Sequence, residues 1–130
     1  MITHEGKVLF SRRELECRCG CGRAEFDKGF LYMLRTFRVE AGLPMVVSSG
    51  CRCPEHNVKA SKTGPDGPHT FGAVDILCYG DRARQWSWLA AELGFTGIGL
   101  HQRGPHAQRF LHLDMIQPGG KHPRPWLWTY

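Results

Sequence analysis

The sequence predicts an α+β fold, a central and mostly antiparallel sheet with flanking helices, in a single domain spanning residues 1–130. Three observations carry that prediction. Two segments repeat apolar residues at helical spacing and stop at a glycine. Four shorter segments are β-branched or alternate apolar with polar residues, as strands do. The late strands are joined by links too short for parallel crossovers. A chain of 130 residues fits one core. Its 42% hydrophobic and 22% charged residues are those of a soluble globular protein. No apolar run reaches the roughly 18 residues of a membrane span.

Taken in order, Ser11-Arg12-Arg13-Glu14 has the form of a capping box and predicts a short helical turn starting at Ser11, ended by the glycine-rich stretch from Cys17 to Gly22. Asp27 is expected to cap a helix from Lys28 to about Glu40, with Phe30, Leu34, Phe37 and Ala41 on its buried face and Gly42 as its stop. Met45 to Ser49 reads as a buried strand. Residues 50–67 show no period and read as a long functional loop. A strand is expected from Gly72 to Cys78, then a helix over Arg82 to Leu93 capped by Asp81. Strands over Phe95 to Leu100 and Phe110 to Ile116 follow, with a loop between them.

In the last strand Phe110, His112 and Asp114 share one face while Leu111, Leu113 and Met115 share the other, because strand side chains alternate. A solvent-facing His/Asp pair would give the same pattern. Asp75 tips the balance, since a carboxylate inside Ala73-Val74-Asp75-Ile76-Leu77 needs a cation or donor if it is buried. His69 precedes it by six residues, across a bend that Gly72 permits. Two histidines and an aspartate suit a catalytic zinc, whose three N/O ligands leave a fourth position open. His4, His56, His101, His106 and His122 read as solvent residues or as supports of the site.

The six cysteines lie at positions 17, 19, 21, 51, 53 and 78, five of them in C-x-C steps. One intervening residue is short for chelation, so the expectation is reduced, partly buried thiols; a structural metal on Cys17, Cys19 and Cys21 with Cys51 and Cys53 is the alternative. The net charge of +5 is dispersed, so no nucleic-acid partner is expected, and it suits an anionic cell wall.

Ser48-Ser49-Gly50-Cys51-Arg52-Cys53-Pro54-Glu55-His56-Asn57, Gly67 to Ile76 (GPHTFGAVDI), Gly94 to Gly99 (GFTGIG) and Phe110-Leu111-His112-Leu113-Asp114 occur in this order. Together they resemble the M15 family of zinc D-alanyl-D-alanine peptidases in its short phage and bacterial form. The likeness runs from about Phe10 to the closing Arg124-Pro125-Trp126-Leu127-Trp128-Thr129-Tyr130. It implies the Hedgehog/DD-peptidase fold, zinc (Zn2+) on His69, Asp75 and His112, and Arg52 as the grip on a substrate carboxylate. The expected activity is hydrolysis in peptidoglycan stem peptides, most simply as a D-alanyl-D-alanine carboxypeptidase. A peptidoglycan endopeptidase of the phage lysin type, or a wall-binding module that has lost the chemistry, are the alternatives.

The sequence departs from the family pattern twice. Histidine and aspartate are one residue closer than in the family motif, and Arg109 stands where many relatives carry an acid. Asp114 is therefore the expected general base, with orientation of His112 as its competing role. The chain shows no apolar export segment at its start and is expected to be a monomer that acts on the bacterial wall or periplasm, with a phage or prophage origin fitting its small size.

Overall fold

A computed structural model describes residues 1–61 and 64–130; Lys62 and Thr63, inside the loop expected over 50–67, lie outside the described residues. The chain opens with a hairpin, β1 (Ile2–His4) and β2 (Lys7–Phe10), that turns at Glu5 and Gly6, both with positive φ. Strands of three and four residues are too short for a periodicity argument, which is why sequence reading passes over them. The expected capping box is present: Ser11 Oγ accepts from the Glu14 amide, and the Glu14 carboxylate accepts from the Ser11 amide, starting α1 (Arg12–Leu15).

Helix α2 (Lys28–Ala41) begins as expected, with the Asp27 carboxylate accepting from the Phe30 amide, and ends at Gly42 in the left-handed region. Helix α5 (Gly80–Leu93) corrects the expected cap. Tyr79 occupies the cap position, and Asp81 sits in the first turn, where its carboxylate accepts from Arg84 and Gln85 at 2.7 Å each.

The five-stranded sheet has the order β3 (Val47–Ser49), β4 (Ala73–Leu77), β6 (Phe110–Asp114), β5 (Gly97–His101), β7 (Trp126–Thr129). Its first three pairings are antiparallel, as expected, and the β5–β7 pairing is parallel. Phe30, Leu34 and Phe37 of α2 and Ala83, Trp86 and Ala90 of α5 cover one face of the sheet, burying Val74, Ile76, Leu111 and Leu113. Burying these side chains out of water is the main stabilising contribution here. The opposite face carries Asp75, His112 and Asp114 in register, with Asp75 paired to His112 and His112 paired to Gly99.

The segment over 50–67 is not a structureless loop. Helix α3 (Pro54–Ala60) starts with proline at its first turn, and the Cys53 sulfur accepts from the His56 amide; a short 3-10 turn follows at Gly64–Asp66. A proline start with so few apolar residues gives no amphipathic stripe to read. His69 lies on a further helical turn, α4 (Pro68–Phe71), and not on a strand.

Candidate metal centre

Three elements converge on one point. Helical turn α4 presents His69, strand β4 presents Asp75 and strand β6 presents His112, all buried. Asp75 Oδ1 lies 3.2 Å from His69 Nε2 and 3.1 Å from His112 Nδ1. The six-residue spacing is absorbed where α4 ends: Gly72, at φ 104° and ψ 98°, bends the chain so that Asp75 still faces His69. A residue with a Cβ would be strained in that conformation.

The outer nitrogen of each imidazole determines what its inner nitrogen can be. His69 Nδ1 is 2.7 Å from the Gly50 carbonyl, which only accepts, so Nδ1 carries the proton. His112 Nε2 is 2.8 Å from Asp114 Oδ2 and carries its proton for the same reason. In their neutral forms both rings therefore aim a lone pair at the Asp75 carboxylate. Two buried imidazole acceptors at 3.1–3.2 Å from one buried carboxylate oxygen, all three within 4.8 Å of one another, require a cation, either a proton on an imidazole or a metal ion. Bonds of about 2.0–2.1 Å to nitrogen and oxygen give tetrahedral edges of roughly 3.3 Å, so the donor set fits a metal such as zinc.

Behind His112, Arg124 grips Asp114 bidentately, Nε to Oδ1 at 2.9 Å and Nη2 to Oδ2 at 2.7 Å. Burial opposes ionisation of Asp114, but His112 and Arg124 outweigh it and hold its carboxyl well below the usual range. Asp75 behaves likewise: burial raises its pKa, and His69 and His112 more than reverse this. Gly97 lies across from Asp114 with no room for a Cβ beside the carboxylate, and a Cβ on Gly99 would come within 2.6 Å of the Trp128 indole. Both glycines in β5 are thus required by what lies over the sheet.

The centre lies in an open cleft of about 370 Å³ lined by Arg52, His69, Asp75, His112, His122, Trp126, Trp128 and Tyr130 among others. Asp114 does not line it and is fully buried, so its geometry is that of the residue that orients His112, with both oxygens already occupied. Arg52 does line it, its Nη2 3.9 Å from Asp75 Oδ2, with Nε donating to Ser49 Oγ and Nη1 to Asn57 Oδ1, each at 3.2 Å. Tyr130 is also at the cleft. Burial, helped by the nearby Asp75 charge, pushes its phenol up to about 12, so it stays a donor at neutral pH. Sequence reading assigned no role to Arg124, Tyr130, Trp128 or the Gly50 carbonyl and left His122 as a solvent residue or a support of the site. All of these come from chain ends or backbone that no local period marks.

The sequence model of the Peptidase M15 family matches residues 8–114. The chain belongs to that family. The match runs from within the hairpin strand β2 to the end of β6 and so includes all three convergent side chains. No curated protein and no solved structure matches the chain. Membership makes the protein a metallopeptidase by family, and its α+β architecture agrees with that. Among the described residues of this M15 peptidase, no helix is long and apolar enough to cross a membrane.

Two predictions follow from the geometry. Asp114→Asn keeps an oxygen for His112 Nε2 but loses the charge that holds Arg124, so zinc affinity should fall about 10–100-fold, as measured by competition with a chromophoric chelator. Unchanged affinity with lost turnover would instead make Asp114 the proton acceptor. In the metal-free chain burial opposes charge on His112, yet Asp114 and Asp75 outweigh it and raise its pKa. A raised folded value contributes stability below the unfolded value of about 6.5 and loses it as pH climbs through the folded one. Metal must displace that proton, so zinc affinity should fall as pH drops through the raised value. Calorimetry in buffers of different ionisation heat should register the released proton.

Proposed function

We propose that the chain is a zinc peptidase acting on peptidoglycan stem peptides, most simply a D-alanyl-D-alanine carboxypeptidase. The observation that carries the reading is an arginine and a His-Asp-His donor set on the walls of one cleft. His69, Asp75 and His112 would hold the ion, and two imidazoles with one carboxylate on an open cleft are a donor set typical of catalytic zinc. Bound there, zinc supplies Lewis acidity toward a water and the scissile carbonyl.

The chain's own side chains do the rest. Ser49 and Asn57 fix the Arg52 guanidinium by two hydrogen bonds, which leaves a preorganised planar fork at the cleft for a terminal carboxylate. Trp126 and Trp128 give the cleft an apolar wall that limits water. With Asp114 buried beneath the cleft wall and absent from its lining, proton transfer falls to His122. Its Nε2 donates to the Asp66 carbonyl at 3.1 Å, which leaves Nδ1 as an acceptor.

A second reading, a wall-binding module, has its own support, because Asp75 is the one carboxylate among the described residues lining the cleft. Digestion of a pentapeptide stem with mass identification of the products separates the readings. Free D-alanine supports the carboxypeptidase, internal fragments without it would point to an endopeptidase, and zinc-loaded protein with no products would leave the binding module. In the carboxypeptidase, Arg52→Ala should lower kcat/KM by a factor equivalent to ~2–4 kcal/mol of transition-state binding, with zinc content unchanged. His122→Ala should cut kcat by roughly a hundredfold or more at unchanged zinc content.

A further inference from the structure

A second cluster of ligand-type side chains lies outside the cleft and takes no part in the chemistry above. The Sγ atoms of Cys17, Cys19, Cys21 and Cys53 all lie within 4.8 Å of one another. Cys17 is 3.4 Å from Cys19 and 3.8 Å from Cys53, and Cys19 is 3.6 Å from Cys53. These separations are far longer than a disulfide bond of about 2.05 Å. They are close to the edge of a tetrahedron with zinc at its centre, which for Zn–S bonds of about 2.3 Å is roughly 3.8 Å.

The local chain conformation removes the objection that C-x-C steps are too short. Residues 18–21 form a turn and not a strand, with Gly20 and Gly22 at φ 88° and 82°, and the Gly20 amide reaching the Cys17 carbonyl. Wound in this way, alternate side chains point to a common centre. Only the two left-handed glycines permit so tight a winding. The sulfurs also accept from backbone: the Cys53 amide donates to Cys17 Sγ and the His56 amide to Cys53 Sγ, each at 3.4 Å. Backbone donors aimed at sulfur favour the thiolate form that metals take. Arg18 holds the turn independently, donating to the carbonyls of Arg13, Glu16 and Val47.

We propose that Cys17, Cys19, Cys21 and Cys53 bind a second zinc ion in a closed, all-sulfur structural site. Cys51 is not part of it, although it neighbours Cys53 in sequence. Its sulfur is outside the group, and its amide donates to the Leu15 carbonyl at 2.8 Å. Four protein ligands leave no open position, which makes the site structural and not catalytic.

Its place in the fold gives it a purpose. It joins the turn after α1 to the start of α3 and so clamps residues 50–53 between them. That short stretch carries the Gly50 carbonyl that fixes His69 and the Arg52 side chain at the cleft. Gly50 itself packs against the Leu15 backbone with no space for a Cβ, and the Arg52 amide donates to the His69 carbonyl at 3.0 Å. The cysteine site therefore acts as a positioning device for the cleft.

The test is zinc stoichiometry by native mass spectrometry together with zinc-edge X-ray absorption on the full chain. The wild type should carry two zinc ions, and His112→Ala should keep one whose neighbours are sulfur at about 2.3 Å. Cys19→Ser and Cys21→Ser change exposed side chains, so the core is left intact, and each should lower the sulfur-bound zinc while the nitrogen- and oxygen-bound ion remains. If a variant fails to fold, cobalt substitution of the wild type decides: an intense thiolate-to-cobalt charge-transfer band supports the site. No sulfur around the metal in the wild type, or two disulfides among the four cysteines, would overturn it. Because the cysteine-bound ion should survive loss of His112, failure here and failure of the peptidase reading give different results.

Discussion

A buried carboxylate that receives a lone pair from each of two neutral imidazoles is electrostatically untenable without a cation between them, and the sheet is arranged around that requirement. Asp75 and His112 face each other across adjacent antiparallel strands, and His69 enters from the helical turn that leads into one of them. The outer nitrogens are committed to the Gly50 carbonyl and to Asp114, so neither ring can flip to relieve the repulsion without losing a buried hydrogen bond. Tautomer, ring orientation and need for a cation are thus one interaction seen from three sides.

That arrangement explains residues far from the metal. Asp114 can stay ionised in a fully buried place because Arg124 brings a bidentate guanidinium to it, and Arg124 in turn lies 5.0 Å from the Trp128 ring centre. Trp128 sits on Gly99 with its ring centre 4.9 Å from that of His112, the two rings tilted at 55°, so the parallel strand β7 closes the site it supports. Glycine at positions 97 and 99 weakens β5 as a strand but makes room for a carboxylate and an indole above the sheet. The apolar packing of α2 and α5 is confined to the opposite face, which leaves the functional face free for polar side chains.

Much of this was legible in the chain. Strand alternation placed His112 and Asp114 on one face, and the apolar surroundings of Asp75 marked it as a buried charge needing a partner. The two long helices, apart from the start of α5, read correctly because they carry a sustained stripe and a glycine stop. Helix α3 and the opening hairpin did not, since short elements held by caps, a proline start or a two-residue turn carry too few residues to show a period. What the face alone could not show about Asp114 is its surroundings: it is fully buried, and Arg124 occupies both of its oxygens beside His112.

The sequence by itself determined the secondary-structure class, the convergence of His69, Asp75 and His112 and the family, because these rest on residue type, local period and ordered motifs. Only the tertiary structure decided what stands behind each of these three side chains, that the shortened spacing is taken up at Gly72, that His122 and Tyr130 reach the cleft, and that Cys53 joins Cys17, Cys19 and Cys21 while Cys51 does not. The physical reason is separation along the chain. Arg124 lies 10 residues from Asp114 and Cys53 lies 36 from Cys17, and each pair meets only because the packed sheet and its caps bring distant turns together. No local propensity records a contact made at that range.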